Sequence, residues 1–266
     1  MITIRNLHKQ YTVKDKSRKR IAVNAVNHIS LTLQDDTGYA LIGESGSGKS
    51  TLAKMLAGIE TATSGEIWLD EINLASLKGE ALRRKRSEFQ LVLQNSQSAL
   101  DPRRTIYNSI AEPLRCLGPQ DTPRELERIQ ELAYKVGLPE ALLTRLPHEL
   151  SGGQQKRACI ARAISISPKF IIFDESVSGL DVTVRKQILD LIVRLKEEEK
   201  STFLFITHDI DVALYLSSNI LVMKEGSIVE QLNNAASYDD FQHEYSKLLI
   251  AALPLQTHPT NITKGE

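Results

Sequence analysis

Residues 43–51, Gly43-Glu44-Ser45-Gly46-Ser47-Gly48-Lys49-Ser50-Thr51, fit the pattern G-x-x-x-x-G-K-[ST]. Its glycines let backbone N–H groups wrap around phosphate oxygens, and a helix opening at the loop adds the positive end of its dipole. In this pattern Lys49 reaches the β- and γ-phosphates and the Ser50 hydroxyl binds Mg²⁺. A second group that could do chemistry is Asp174-Glu175, closing the apolar run Phe170-Ile171-Ile172-Phe173. Asp174 can hold Mg²⁺, directly or through water, and Glu175 can polarise an attacking water as a general base. A carboxylate pair at a strand end also serves as a plain helix cap; beside a phosphate loop, phosphoryl chemistry is the better reading. His208, in Ile206-Thr207-His208-Asp209, and Gln94, in Leu91-Val92-Leu93-Gln94, also close apolar runs. Alone, either would more often be structural, although the Gln94 amide could sense Mg²⁺ or the attacking water.

These groups need elements to hold them. Ile2-Thr3-Ile4 and Ile29-Ser30-Leu31-Thr32-Leu33 alternate with period two, as half-buried strands do. The basic run Lys14–Arg20 between them reads as a solvated hairpin tip. Ala40-Leu41-Ile42 is a short strand leading into Gly43, and Ser50–Gly58 has a helical pattern with Leu52, Met55 and Leu56 on one face. Glu66–Leu69 reads as a further strand. From about residue 80 to 165 helical patterns dominate, punctuated by Asp101-Pro102, Gly118-Pro119, Gly137-Leu138-Pro139 and Pro147. That stretch reads as a helical insertion in a sheet-based core. The core resumes at Phe170, continues through a helix over Val184–Lys200, and adds strands at Thr202–Ile206, Ile220–Met223 and Ser227–Val229. Apolar strands alternating with helices imply an α/β fold with a largely parallel sheet covered on both faces.

The 266 residues, 41% of them hydrophobic, suffice for one large or two modest α/β units. Lys+Arg and Asp+Glu both number 33, which argues against binding nucleic acid through bulk charge. Cys116 and Cys159 lack metal-ligand spacing, so a reduced cytosolic chain is expected. The start, Met1-Ile2-Thr3-Ile4-Arg5, lacks the apolar core of a signal peptide, and no apolar run approaches the ~18–20 residues that span a bilayer. Membrane association is therefore expected through a partner.

Leu150-Ser151-Gly152-Gly153-Gln154 lies between the phosphate loop and Asp174-Glu175. The order of phosphate loop, Gln94, Ser-Gly-Gly-Gln, Asp174-Glu175, Ser178-Gly179-Leu180-Asp181 and His208 resembles the motif series of ATP-binding-cassette (ABC) ATPases over roughly residues 2–230. The resemblance implies a P-loop NTPase cassette, with a RecA-like parallel-sheet core, an antiparallel β subdomain and an α-helical subdomain. It implies a single ATPase domain over 1–235, with the helical subdomain at about 95–165, then a C-terminal helix and polar tail over 236–266. Tyr11 matches the aromatic that stacks on adenine. Ser151, Gly152, Gly153 and Gln154 would cap ATP held by an opposing subunit, through a hydroxyl and a helix N-terminus. Asp181 would communicate across the dimer and His208 would hold the γ-phosphate. Two ATP molecules would be sandwiched head to tail, and closure and reopening would drive membrane subunits.

Three further stretches resemble one branch, the peptide/nickel importers: Pro147-His148-Glu149-Leu150, Ser98-Ala99-Leu100-Asp101-Pro102-Arg103, and His243-Glu244-Tyr245-Ser246 continuing to Leu253-Pro254. Glu112-Pro113-Leu114 fits the same branch. The chain thus resembles an ATPase subunit energising uptake of dipeptides, oligopeptides, nickel or metal chelates. The branch implies a second, non-identical ATPase subunit, two permeases, an extracytoplasmic binding protein, and a place on the cytoplasmic face of the membrane. Asn95, Asp101, Ser176 and Gly179 depart from the family's usual aspartate, asparagine, proline and alanine, and none removes a group expected on phosphate, metal or water. A soluble ABC ATPase of translation or DNA repair is the competing reading; such proteins usually carry two cassettes or a long coiled-coil insertion, and neither fits this chain. A non-hydrolysing metal-binding regulator finds no His or Cys cluster to support it.

Overall fold

The computed structural model describes residues 1–14, 20–117 and 124–253. Asp15–Lys19 of the basic run, the Gly118-Pro119 break, and the tail from Pro254 lie outside the described residues.

Six strands form the central sheet, in the order β10-β9-β3-β8-β7-β6. They are β3 (Gly38–Ile42), β6 (Phe89–Val92), β7 (Phe170–Asp174), β8 (Thr202–Thr207), β9 (Ile220–Lys224) and β10 (Ser227–Leu232). All pair in parallel except β10, which returns antiparallel to β9. Strands β7 and β8 are buried at every position, as befits parallel strands covered on both faces. Their side chains therefore divide between two cores. Ile171, Phe173, Phe203 and Phe205 face one, and Phe170, Ile172, Leu204 and Ile206 the other. The Phe173, Phe203 and Phe205 rings pack at centroid distances of 5.4–6.0 Å.

The first core is closed by helices α4 (Ile106–Leu117), α5 (Glu125–Lys135), α6 (Gly152–Ile164), α7 (Val182–Glu198) and α8 (Ile210–Leu216). The second is closed by α1 (Lys49–Leu56) and by a four-stranded antiparallel sheet of order β2-β1-β4-β5. That sheet comprises β1 (Ile2–Lys14), β2 (Arg20–Leu33), β4 (Ser64–Leu69) and β5 (Ile72–Asn73). Strands β1 and β2 run much further than the alternation of Ile2–Ile4 and Ile29–Leu33 predicts. Their outer halves lie in solvent, and register shifts between Ile4 and Gln10 break the period. Lys14 pairs with Arg20 across the hairpin, flanking the basic run as expected.

The helix-rich stretch expected from about residue 80 holds α2 (Gly79–Lys85) and then a strand, β6, which returns to the sheet edge. Four residues are too few to show a period against helical neighbours. The uninterrupted helical part starts at α3 (Ser96–Ala99). No helix among the described residues is long and apolar enough to cross a membrane. A last helix, α9 (Glu244–Ala251), packs against the first core through Tyr245.

Candidate functional site

Sheet order assembles the site. Ile42, the residue before the phosphate loop, is level with Thr207, the residue before His208. Asp174 is level with Ile206, and Val92 with Phe173. The loops leaving β3, β8, β7 and β6 thus emerge side by side at the carboxyl edge, where parallel α/β sheets bind ligands. They carry Gly43–Lys49, His208, Glu175 and Gln94.

The phosphate loop needs its glycines at two crowded points. Gly43 has φ +152°, and a Cβ there would sit 2.1 Å from the Met223 carbonyl oxygen. Gly48 has φ +105°, and its Cβ would sit 2.0 Å from the Ala25 carbonyl oxygen. Gly48 is the N-cap of α1, and no side chain caps that helix. The first-turn N–H groups are therefore free to meet an anion. Lys49 Nζ is buried, donating to the carbonyls of Gly43 at 2.8 Å and Glu44 at 2.6 Å and to Ser47 Oγ at 3.3 Å. Burial pulls its ammonium below the ordinary lysine range, against the upward pull of Glu175, Asp174 and Glu44. A phosphate beside it would favour the charged form.

Ser50 Oγ donates to Asp174 Oδ1 at 3.1 Å. Burial lifts the Asp174 carboxyl above its usual range; Ser50 opposes this and the neighbouring Glu175 adds to it. A hydroxyl and a desolvated carboxylate converging in this way are the hard oxygen ligands that a small divalent cation takes. Glu175 has φ +45°, a left-handed backbone that few non-glycine residues adopt, and its N–H is held by the Ile206 carbonyl at 2.9 Å. His208 Nδ1 lies 3.6 Å from Glu175 Oε1, and the imidazole is well exposed. Gln94 Nε2 donates to Ser178 Oγ at 2.9 Å, and Ser178 Oγ donates to the Glu175 carbonyl at 2.9 Å. Ser178 thus ties Gln94 to the turn that carries Glu175. Tyr11 stands on β1 with Lys9 Nζ 5.0 Å from its ring centre, and burial together with the nearby Glu60 pushes its hydroxyl above the ordinary tyrosine range.

The signature lies apart. Among the described residues no hydrogen bond or ion pair joins residues 150–154 to the phosphate loop. Ser151 and Gln154 form a capping box at the start of α6: the Gln154 N–H donates to Ser151 Oγ at 3.3 Å, and the Ser151 N–H to Gln154 Oε1 at 2.9 Å. A Cβ on Gly153 would sit 2.6 Å from Val184 Cγ1, so the glycine lets α6 approach the first turn of α7. Asp181 caps that turn by accepting the Val184 N–H at 3.0 Å. Ser151 and Asp181, the residues expected to act across a dimer, are therefore both N-caps of adjoining helices, and both are exposed.

Two groups near the site went unread in the sequence analysis. Lys156, 2% exposed on α6, donates to the carbonyls of Leu93 at 2.8 Å and Gln94 at 3.0 Å. It links the signature helix to the Gln94 loop. Its helical phase gave the available signal, since Cys159, Ile160 and Ala163, at i+3, i+4 and i+7, are all buried. Arg185 on α7 forms an ion pair with Asp209, which caps α8 next to His208.

A family model described as ABC transporter matches residues 26–178. Over 256 residues the chain is 38% identical to an oligopeptide transport ATP-binding protein of Lactococcus lactis subsp. lactis, spanning 96% of this chain and 80% of that protein. Over 240 residues it is 41% identical to a nickel import ATP-binding protein of Brucella abortus, spanning 89% and 90%. A glutathione import ATP-binding protein of Salmonella paratyphi A is 38% identical over 96% of this chain, which covers 41% of that protein. Among solved structures, a dimeric ATP-binding cassette in a post-hydrolysis state, bound to ADP and Pi, superposes with a TM-score of 0.77 at 28% identity, over 88% of this chain and 98% of that one.

Proposed function

The chain belongs to the ABC transporter family of ATP-binding subunits, in the branch that serves peptide and nickel importers, and from this we propose how its residues divide the work of hydrolysing ATP to drive import. The observation that carries the proposal is the strand order β3-β8-β7-β6. It sets a phosphate cradle, two carboxylates, a histidine and an amide on one edge.

Backbone N–H groups of residues 43–51 and Lys49 bind the phosphates of ATP, and Tyr11 stacks on adenine. Ser50, Asp174 and Gln94 hold Mg²⁺, which when bound supplies charge neutralisation at the phosphates. Glu175 takes a proton from the attacking water. His208 holds the γ-phosphate while that water is activated, a role supported by its Nδ1 lying 3.6 Å from Glu175 Oε1. Ser151, Gly152, Gly153, Gln154 and Asp181 serve the ATP of an opposing cassette; the exposed N-caps Ser151 and Asp181, with no bond from residues 150–154 to this chain's own phosphate loop among the described residues, support that reading.

The opposing cassette is a second, non-identical ATPase subunit, and the pair works beneath two permeases fed by an extracytoplasmic binding protein, at the cytoplasmic face of the membrane. The cargo is a peptide or a nickel or other metal chelate. The relatives' names support an importer over a soluble ATPase of translation or DNA repair.

The test is Glu175→Gln, which keeps shape and removes the base. Phosphate release by the assembled transporter should fall by about 10²-fold or more, while binding of a fluorescent ATP analogue persists. Full turnover in this variant would sink the assignment of Glu175.

A further inference from the structure

The C-terminal helix carries the branch's His-x-Tyr element, and nothing in the ATPase cycle above uses it. The structure shows where its tyrosine points. Tyr245, 5% exposed, accepts the backbone N–H of Glu44 on its hydroxyl at 3.3 Å. Glu44 is the second residue of the phosphate loop, 201 positions away in sequence. The other end of the same peptide unit, the Gly43 carbonyl, accepts Lys49 Nζ at 2.8 Å. One planar peptide is thus held at both ends, by the phosphate lysine on one side and the C-terminal tyrosine on the other.

That tyrosine is itself fixed. The Glu230 carboxylate on β10 accepts the N–H groups of Gln242 at 2.6 Å and His243 at 2.9 Å, together with the Ser246 hydroxyl. His243 caps α9 by accepting the Tyr245 N–H on Nδ1 at 3.1 Å. Lys224, at the end of β9, places Nζ 4.8 Å from the Tyr245 ring centre. The preceding residue, Met223, is the one whose carbonyl crowds Gly43. The end of β9 therefore abuts the loop directly and also braces the side chain that holds it.

We propose that Tyr245 is a positioning residue for nucleotide binding, fixing the first peptide of the phosphate loop so that the C-terminal helix sets the affinity for ATP. The proposal rests on Gly43–Thr51 being the phosphate site. Gly43 gives this peptide freedom to rotate, and Lys49, whose three donors all go to the loop itself, must give up part of that hold when it turns a donor to a phosphate. The Tyr245 hydroxyl then remains to hold the peptide in place. A loop ordered beforehand binds more tightly because less entropy is lost on binding. The loop cradles the phosphates common to both nucleotides, so ATP and ADP should depend on Tyr245 alike.

The test uses the full chain with Tyr245→Phe, which keeps the ring and its packing and deletes the hydroxyl. Kd values for fluorescent ATP and ADP analogues should each rise ~2- to 10-fold, the range that one neutral hydrogen bond carries. In the assembled transporter KM for ATP should rise in step, with kcat within about twofold of wild type. Ser246→Ala, which loosens the start of α9 by deleting the Ser246–Glu230 bond and keeps the Tyr245 hydroxyl, should weaken both nucleotides by less than Tyr245→Phe does. Wild-type affinities in Tyr245→Phe overturn the proposal, as does a fall in kcat at unchanged affinity, which would place the hydroxyl in the chemical step. If the unaltered chain itself fails to bind ATP, the phosphate-site reading has failed instead.

Discussion

Replacing Lys156 by Met should change how stability responds to alkaline pH. Burial, the dominant influence, lowers the Lys156 ammonium from the ordinary 10.5 to about 8. The folded chain therefore holds this proton less tightly than the unfolded chain does. Between pH 8 and 10.5 the unfolded state binds more protons, so stability rises with pH in that window. The penalty for burying the charge is fully present below the folded value and is relieved as pH approaches the unfolded one. A shift of about 2.5 units at ~1.36 kcal/mol each gives about 3 kcal/mol. Methionine has a similar unbranched stem and no proton to lose. It also leaves the Leu93 and Gln94 carbonyls without their donor, a cost that is nearly constant with pH. The readout is thus a difference. Urea unfolding of both proteins at pH 7.5, 9 and 10.5 should show wild type gaining on the variant by about 3 kcal/mol across the series. A difference flat to within ~0.5 kcal/mol would refute the burial of a charged lysine between α6 and the Gln94 loop.

Ser151→Ala removes the cap of α6 and should cost ~1 kcal/mol in urea unfolding. On the proposal that the hydroxyl serves the opposing subunit's ATP, phosphate release by the assembled transporter should also fall, while ATP binding by the isolated chain stays unchanged; weakened binding there would place Ser151 at the chain's own site. Gly153→Ala puts a Cβ against Val184 Cγ1 and should destabilise by ~1–3 kcal/mol. Val184→Ala in the same chain should restore much of that loss, and strict additivity of the two substitutions in unfolding measurements would show that the contact is not the cause.

The elements that position the site were readable to the degree that side chains keep a period. Apolar runs marked β7, β8 and β9, because strands buried on both faces tolerate little else. The outer halves of β1 and β2 were not readable, because their side chains lie in solvent and the bulges shift their phase. Strand β6 was hidden by its shortness among helices. Within the site, Gly43–Thr51 and Asp174-Glu175 could be interpreted from local chemistry alone. Gln94 and His208 gained meaning only from their place in the motif order, since neither residue type specifies a task.

By itself the sequence determined which chemical groups are present and in what local frames: a glycine-rich loop between a strand and a helix, Ser151-Gly152-Gly153-Gln154 between that loop and the carboxylates, and Asp174-Glu175 at the end of an apolar run. These are short-range matters of backbone sterics and helix ends. Tertiary structure decided which of these groups meet. Strands β3, β8, β7 and β6 are neighbours although they are scattered along the chain, because parallel pairing needs long crossovers, and periodicity carries no information about which strand lies next to which. The Ser178 bridge from Gln94 to Glu175 and the burial of Lys156 beneath the Gln94 loop follow from that pairing, and the reach of Tyr245 to Glu44 from the pairing of β9 with β3 and of β10 with β9. Each joins polar groups far apart in sequence, and burial gives the Lys156 and Tyr245 bonds their weight, because an unpaired polar group in the interior has no water to turn to.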